Sequence, residues 1–245
     1  MIEAYKDENI IIYTEDGTVN QFIYDSIKAL DERLIVYKRL FNKEELDKLS
    51  IYFYTNLDNY RSTMDNMPEY SRGYINSSEY KIVVCNDKEE DTQSIFYHKR
   101  THSIAHEAFH IYYSNYVYKT LNNRVIWFDE GMARYMSGEL DGFDEDHQRF
   151  AYKKFRDEYK TITNLNDRRH GSSDLSDELI FNRPGVIEGY YLSYIIIRYL
   201  VETKGIEYIK ELMSNKEEIL KVGNSIIDEV LEYFDLKYEY TNRIK

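Results

Sequence analysis

Ile95-Phe-Tyr-His-Lys-Arg-Thr-His-Ser-Ile-Ala-His-Glu-Ala-Phe-His-Ile-Tyr-Tyr113 lies within a helical pattern that runs from Asp91 to about Lys119 and divides the chain into two unlike halves. N-terminal to it the chain reads as strands around one long helix. Residues 9–14 (Asn-Ile-Ile-Ile-Tyr-Thr) form a strand, followed by a turn at Asp16-Gly17. A helix over roughly residues 19–41 follows, with Phe22, Ile23, Ile27, Leu30, Leu34 and Tyr37 at helical spacing. Leu49 to Thr55 is β-branched and aromatic, which predicts a second strand. Asn56-Leu57-Asp58 can cap a short helix through Met64, and Arg72–Ile75 and Tyr80–Cys85 read as paired strands joined at Asn76-Ser77-Ser78. C-terminal to the dividing helix, Trp127 to Met136 is a short helix. The rest is helical apart from the loop-rich Leu165 to Gly185. Strands first and helices afterwards, without βαβ alternation, predict an α+β fold. One domain over 1–245 is expected, with an α/β lobe at 1–120 and a helical lobe at 121–245.

Composition narrows the function classes. The chain has 245 residues, ample for a real core, and 2 prolines and 10 glycines, too few for long flexible linkers. Its 44 acidic against 32 basic residues give a formal charge of −12, and no basic arm offers itself to a phosphate backbone, so no nucleic-acid partner is expected. The single cysteine, Cys85, cannot form an intramolecular disulfide and reads as a small buried residue on a strand. Met1 to Asn9 has no apolar leader core, and no apolar run approaches the ~20 residues that span a bilayer. Cytoplasmic residence is the expectation, although a secreted chain whose leader had been trimmed reads the same. Oligomeric state is not legible.

Within the dividing helix, His106-Glu107-Ala108-Phe109-His110 is an H-E-x-x-H motif. Positions i and i+4 share a helix face, so two imidazoles can reach one Zn²⁺ while the intervening glutamate addresses a metal-bound water. Catalytic zinc takes three protein ligands and keeps a fourth position open. The next candidate is Glu130, 20 residues after His110 in Trp127-Phe128-Asp129-Glu130-Gly131-Met132-Ala133-Arg134-Tyr135. That interval suffices to end one helix and bring a second back, with Gly131 and Ala133 small enough for close packing. Asp129 competes for the ligand role. His98 and His102 continue the four-residue spacing of His106 and His110. They either extend or gate the metal site or, because the face drifts ~40° per step, meet solvent or a neighbouring loop.

H-E-x-x-H followed at this distance by W-x-x-E-G-x-A-x-Y resembles the gluzincin peptidases, the group of thermolysin and the zinc aminopeptidases, including small bacterial peptidase domains. The resemblance implies a zincin-like fold and a zinc-dependent peptidase. His106, His110 and Glu130 would be the metal ligands, and Glu107 the general base that later protonates the leaving amine. Tyr190-Tyr191-Leu192-Ser193 is similar to the Y-x-x-[GS] helix of zinc aminopeptidases and makes Tyr190 the oxyanion donor, worth roughly 3–4 kcal/mol in comparable sites. Tyr191, Tyr194 and His170 are the alternates. A peptide substrate would add as a strand to an edge within Arg72–Val84.

Three departures qualify the match. The G-x-M-E-N segment that holds a substrate amine is absent, which points to an endopeptidase. The asparagine-rich substrate strand of thermolysin is missing. Arg134 stands four residues after Glu130, where thermolysin-like enzymes place a carboxylate that orients a ligand histidine. A catalytically silent zinc or peptide-binding domain is the alternative, and a zinc hydrolase of non-peptide amides a third reading.

Overall fold

In the computed structural model, residues 1–65, 71–87, 92, 94–120, 123–142, 145–146, 148–149, 152, 156 and 188–243 are described. The fold is α+β. Strands β1 (Ile2–Lys6), β2 (Ile10–Thr14), β3 (Leu49–Tyr54), β4 (Gly73–Asn76) and β5 (Lys81–Cys85) form one mixed sheet in the order β1-β2-β3-β5-β4. β2, β3 and β5 are parallel, and β1 and β4 pair antiparallel at the two ends. Helix α1 (Gln21–Leu40) joins β2 to β3, giving one βαβ unit. Ile10 and Ile12 in β2 and Leu49, Ile51 and Phe53 in β3 are buried with the strand period of two, whereas β5 is buried on both faces from Ile82 to Cys85. Cys85 is buried beside Tyr60 and Val83, and burial pushes its thiol up to about 11.

α1 buries Ile23, Ile27, Leu30, Leu34 and Tyr37. It starts at Asn20, whose side chain accepts from the Ile23 amide at 3.0 Å. An N-cap of this kind is worth about 1 kcal/mol. Asn20→Ala is therefore expected to lower unfolding free energy by about that amount, measured by denaturant titration; no change would show that another group satisfies the amide.

Two elements differ from expectation. β1 is a strand in a stretch read only as polar: it lies at the sheet edge, its burial is slight, and a bulge interrupts its register between Glu3 and Tyr5. The helix expected over 91–119 is divided into α3 (Ile95–Thr101), α4 (Ser103–Tyr113) and a π-turn at Ser114–Tyr118. The break falls where the side chains of Thr101 and His102 both take the His98 carbonyl, each at 2.8 Å, in competition with the helical ladder.

The chain separates into two compact units, Met1–Tyr116 with Met136–Gly142, and Val117–Tyr135 with Phe143–Lys245. The first holds the sheet, α1, α2 (Leu57–Arg61), α3 and α4. Here α4 packs against α1 through Tyr37, Phe41, Phe109 and Tyr112, and Tyr37 Oη donates to the Ala105 carbonyl at 2.9 Å. The described residues of the second unit are largely helical: most of α5 (Ile126–Ser137), then α6 (Glu188–Lys204), α7 (Ile206–Met213), α8 (Lys216–Gly223) and α9 (Ile226–Arg243). α6 packs on α7 and α9, and Ile196, Ile197, Ile209 and Phe234 are fully buried. Among the described residues no helix is long and apolar enough to cross a membrane.

Candidate metal centre

Because the chain breaks at His102, α4 starts at Ser103 and carries His106, Glu107 and His110 in its first two turns. The Nε2 atoms of His106 and His110 stand 3.1 Å apart, with ring centroids at 4.8 Å and planes inclined by 79°. Both imidazoles are buried. The one-turn spacing puts two nitrogens on one face, and the packing of Phe109 against Tyr37 fixes the direction of that face.

Glu107 is half-buried. Its Oε1 lies 3.6 Å from where a Cβ on Gly73 would stand. Gly73 is the first residue of β4, the terminal strand of the sheet, so the carboxylate adjoins a sheet edge within the Arg72–Val84 stretch singled out above.

Glu130 follows Asp129, the acid of the first turn of α5. Arg124, just before the helix, donates from Nε to Asp129 and from Nη2 to Glu130 Oε1 at 2.9 Å. Burial works against the Arg124 cation, but these two carboxylates outweigh it and raise its pKa. The fork fixes the direction of both acids. His106 and His110 belong to the first compact unit and Glu130 to the second. Asp129 has no exposed surface.

Gly131 behaves as its position implied. A Cβ there would stand 2.4 Å from the Ser193 carbonyl oxygen and 2.7 Å from Ile197 Cγ1, so α5 and α6 meet backbone to backbone.

The carboxylate missing at Arg134 comes from five residues further on. Glu139, in the turn after α5, is buried, and its Oε2 lies 3.2 Å from His106 Nδ1. Periodicity along α5 could not have found it, because it lies past the helix end. The one local signal is Gly138, whose φ of +73° marks the helix stop and redirects the chain. Arg124 was also missed, since a cation in the loop before a helix has no periodic relation to its partners.

Of the oxyanion donors considered, Tyr190 falls in the first turn of α6, but its side chain and that of Tyr191 lie outside the described residues, as does His170. Tyr194 is buried, its ring 6.1 Å from that of Tyr135. His98 and His102 face one another with centroids 4.1 Å apart. His98 meets the loop after α5, and burial lowers the pKa of His102. No protein-family model matches this chain, and no curated protein matches it.

Proposed function

We propose that this chain is a zinc-dependent peptidase, with His106, His110 and Glu130 as metal ligands and Glu107 as the general base. The observation that carries the reading is the imidazole pair: two buried rings on one face of α4 with Nε2 atoms 3.1 Å apart. Two nitrogens at ~2.05 Å from a tetrahedral zinc would be about 3.3 Å from each other, so the pair needs almost no adjustment. Two nitrogens and one oxygen are also the ligand chemistry of a zinc hydrolase that keeps a position open. Zinc, when bound, supplies Lewis acidity toward water and toward the scissile carbonyl.

The remaining work belongs to the chain's own groups. Glu107 takes the proton of the attacking water and returns it to the leaving amine. Glu139 Oε2 lies 3.2 Å from His106 Nδ1, where its charge favours the tautomer that leaves Nε2 as the donor atom. Arg124 holds Glu130 through Oε1. β4, paired on one side to β5, offers backbone groups to an extended peptide beside Glu107. Recognition through backbone together with the missing amine-holding motif favours internal peptide bonds over free N-termini.

The direct test is metal analysis of the purified chain. About one zinc per chain is expected, as a three-ligand catalytic site requires, with loss in His106→Ala and in His110→Ala. Full occupancy surviving His110→Ala would sink the assigned site.

A further inference from the structure

We infer that the loop Gly138–Gly142 is a bracket that seats Glu139 against His106, with His98 and Arg33 as its positioning residues; the inference rests on His106 being a metal ligand. All of these residues lie within the first compact unit. Both ends of the loop come to one ring nitrogen. His98 Nε2, on α3, lies 3.1 Å from the Gly138 carbonyl oxygen and 3.2 Å from the Gly142 amide nitrogen. A single ring nitrogen donates to the first or accepts from the second, so either tautomer holds one end of the loop. From α1, Arg33 Nη2 pairs with Asp141 Oδ2 at 2.7 Å. The Asp141 amide closes the turn on the Gly138 carbonyl at 3.0 Å.

The two glycines mark where these side chains press. A Cβ on Gly138 would stand 2.1 Å from Arg33 Nη2 and 2.4 Å from its Cζ, and the positive φ there is itself a glycine conformation. A Cβ on Gly142 would stand 2.8 Å from His98 Cδ2. Between the two glycines sits Glu139, buried, with its carboxylate on His106. The Arg33–Asp141 pair is partly exposed, 22% and 55%, and such pairs contribute little to stability. What the pair does here is fix the position of the loop. A carboxylate on the far nitrogen of a ligand imidazole sets its tautomer and ring orientation, so a displaced loop weakens the metal site without unfolding the chain.

The experiment measures zinc affinity by chelator competition on the full chain, for His98→Ala, Arg33→Ala, Glu139→Gln and the pairwise combinations. Glu139→Gln is expected to weaken zinc binding about 10–100-fold, the usual range for the partner of a ligand histidine. His98→Ala and Arg33→Ala are each expected to weaken it about fivefold, and to have no further effect in the Glu139→Gln background, because coupled residues are non-additive. Glutamine places an amide near the Nε2 position, so His98→Gln is expected to restore most of the affinity. Losses that add independently to that of Glu139→Gln would overturn the bracket. If His98→Ala fails to fold, Gly142→Ala takes its place and is expected to weaken zinc binding by pushing on the ring.

A second readout is independent of zinc. In the metal-free chain, ¹⁵N shifts of His106 are expected to show the Nδ1–H tautomer in the wild type and a mixture in Glu139→Gln and His98→Ala. No zinc uptake by the wild type would remove the peptidase reading, whereas an unchanged tautomer in His98→Ala would remove the bracket.

Discussion

Glu107→Gln is expected to lower peptide hydrolysis by about 10²–10⁴-fold, the range for losing a positioned general base, while the zinc content stays that of the wild type. The two halves of this expectation have different physical origins. Glutamine keeps the shape that packs beside Gly73, where Oε1 comes within 3.6 Å of the Cβ position, so the edge of β4 is undisturbed. In the proposed site the metal-holding atoms are on His106, His110 and Glu130 and do not include Glu107. What changes is proton affinity alone, since an amide cannot accept and return the proton. The measurement is a digest of a broad peptide library by wild type and variant, with metal content determined on the same samples. A wild type that holds zinc and cleaves nothing would make the chain a binding module. Cleavage by Glu107→Gln at the wild-type rate would place the base elsewhere.

Gly131→Val is expected to destabilise the second unit by about 3 kcal/mol, the upper part of the range for overpacked helix contacts. Two effects compete. Replacing a glycine inside a helix gains up to about 1 kcal/mol in intrinsic propensity. Against this stands a Cβ at 2.4 Å from the Ser193 carbonyl oxygen and 2.7 Å from Ile197 Cγ1. The first obstacle is backbone of α6 and cannot rotate away, so packing wins. Gly131→Ala already meets the same obstacle and is destabilising in the same sense, by less. Both are read from the urea midpoint. A stabilised Gly131→Ala would show that α6 does not lie against α5 at this point.

Much of the first unit was legible because local chemistry decides it. The apolar spacing from Phe22 to Tyr37 and the β-branched runs at 9–14, 49–55 and 80–85 produce elements within a residue or two of those expected. Gly131 was readable too, since close helix contacts need a missing side chain. β1 was not, because an edge strand that buries so little carries no hydrophobic alternation to detect. The break at His102 escaped since the spacing of the histidines is helical on both sides of it, and its mark is two side-chain hydrogen bonds that share the His98 carbonyl with the His102 amide. For the site, His106, Glu107, His110 and Glu130 stand in a motif whose spacing is its geometry. Glu139, Arg33 and His98 act on one another across breaks in the helical pattern and through long chain separations, which periodicity does not encode.

The hydrogen bond from Tyr37 to the Ala105 carbonyl spans 68 residues, and the one from Tyr112 to the Asp47 carbonyl spans 65. α4 itself has only 11 residues, and isolated helices below about 12–15 residues are marginal in water. The helix bearing the two histidines therefore owes its persistence to partners that the chain must first loop back to find, which is a slow, entropy-limited closure. Assembly during synthesis follows from this: the imidazole pair has no lasting geometry until the sheet and α1 have received α4. Under the proposed function, a metal ion that arrived earlier would meet side chains still free to bind it in other ways, and the grip of the finished site would be acquired last.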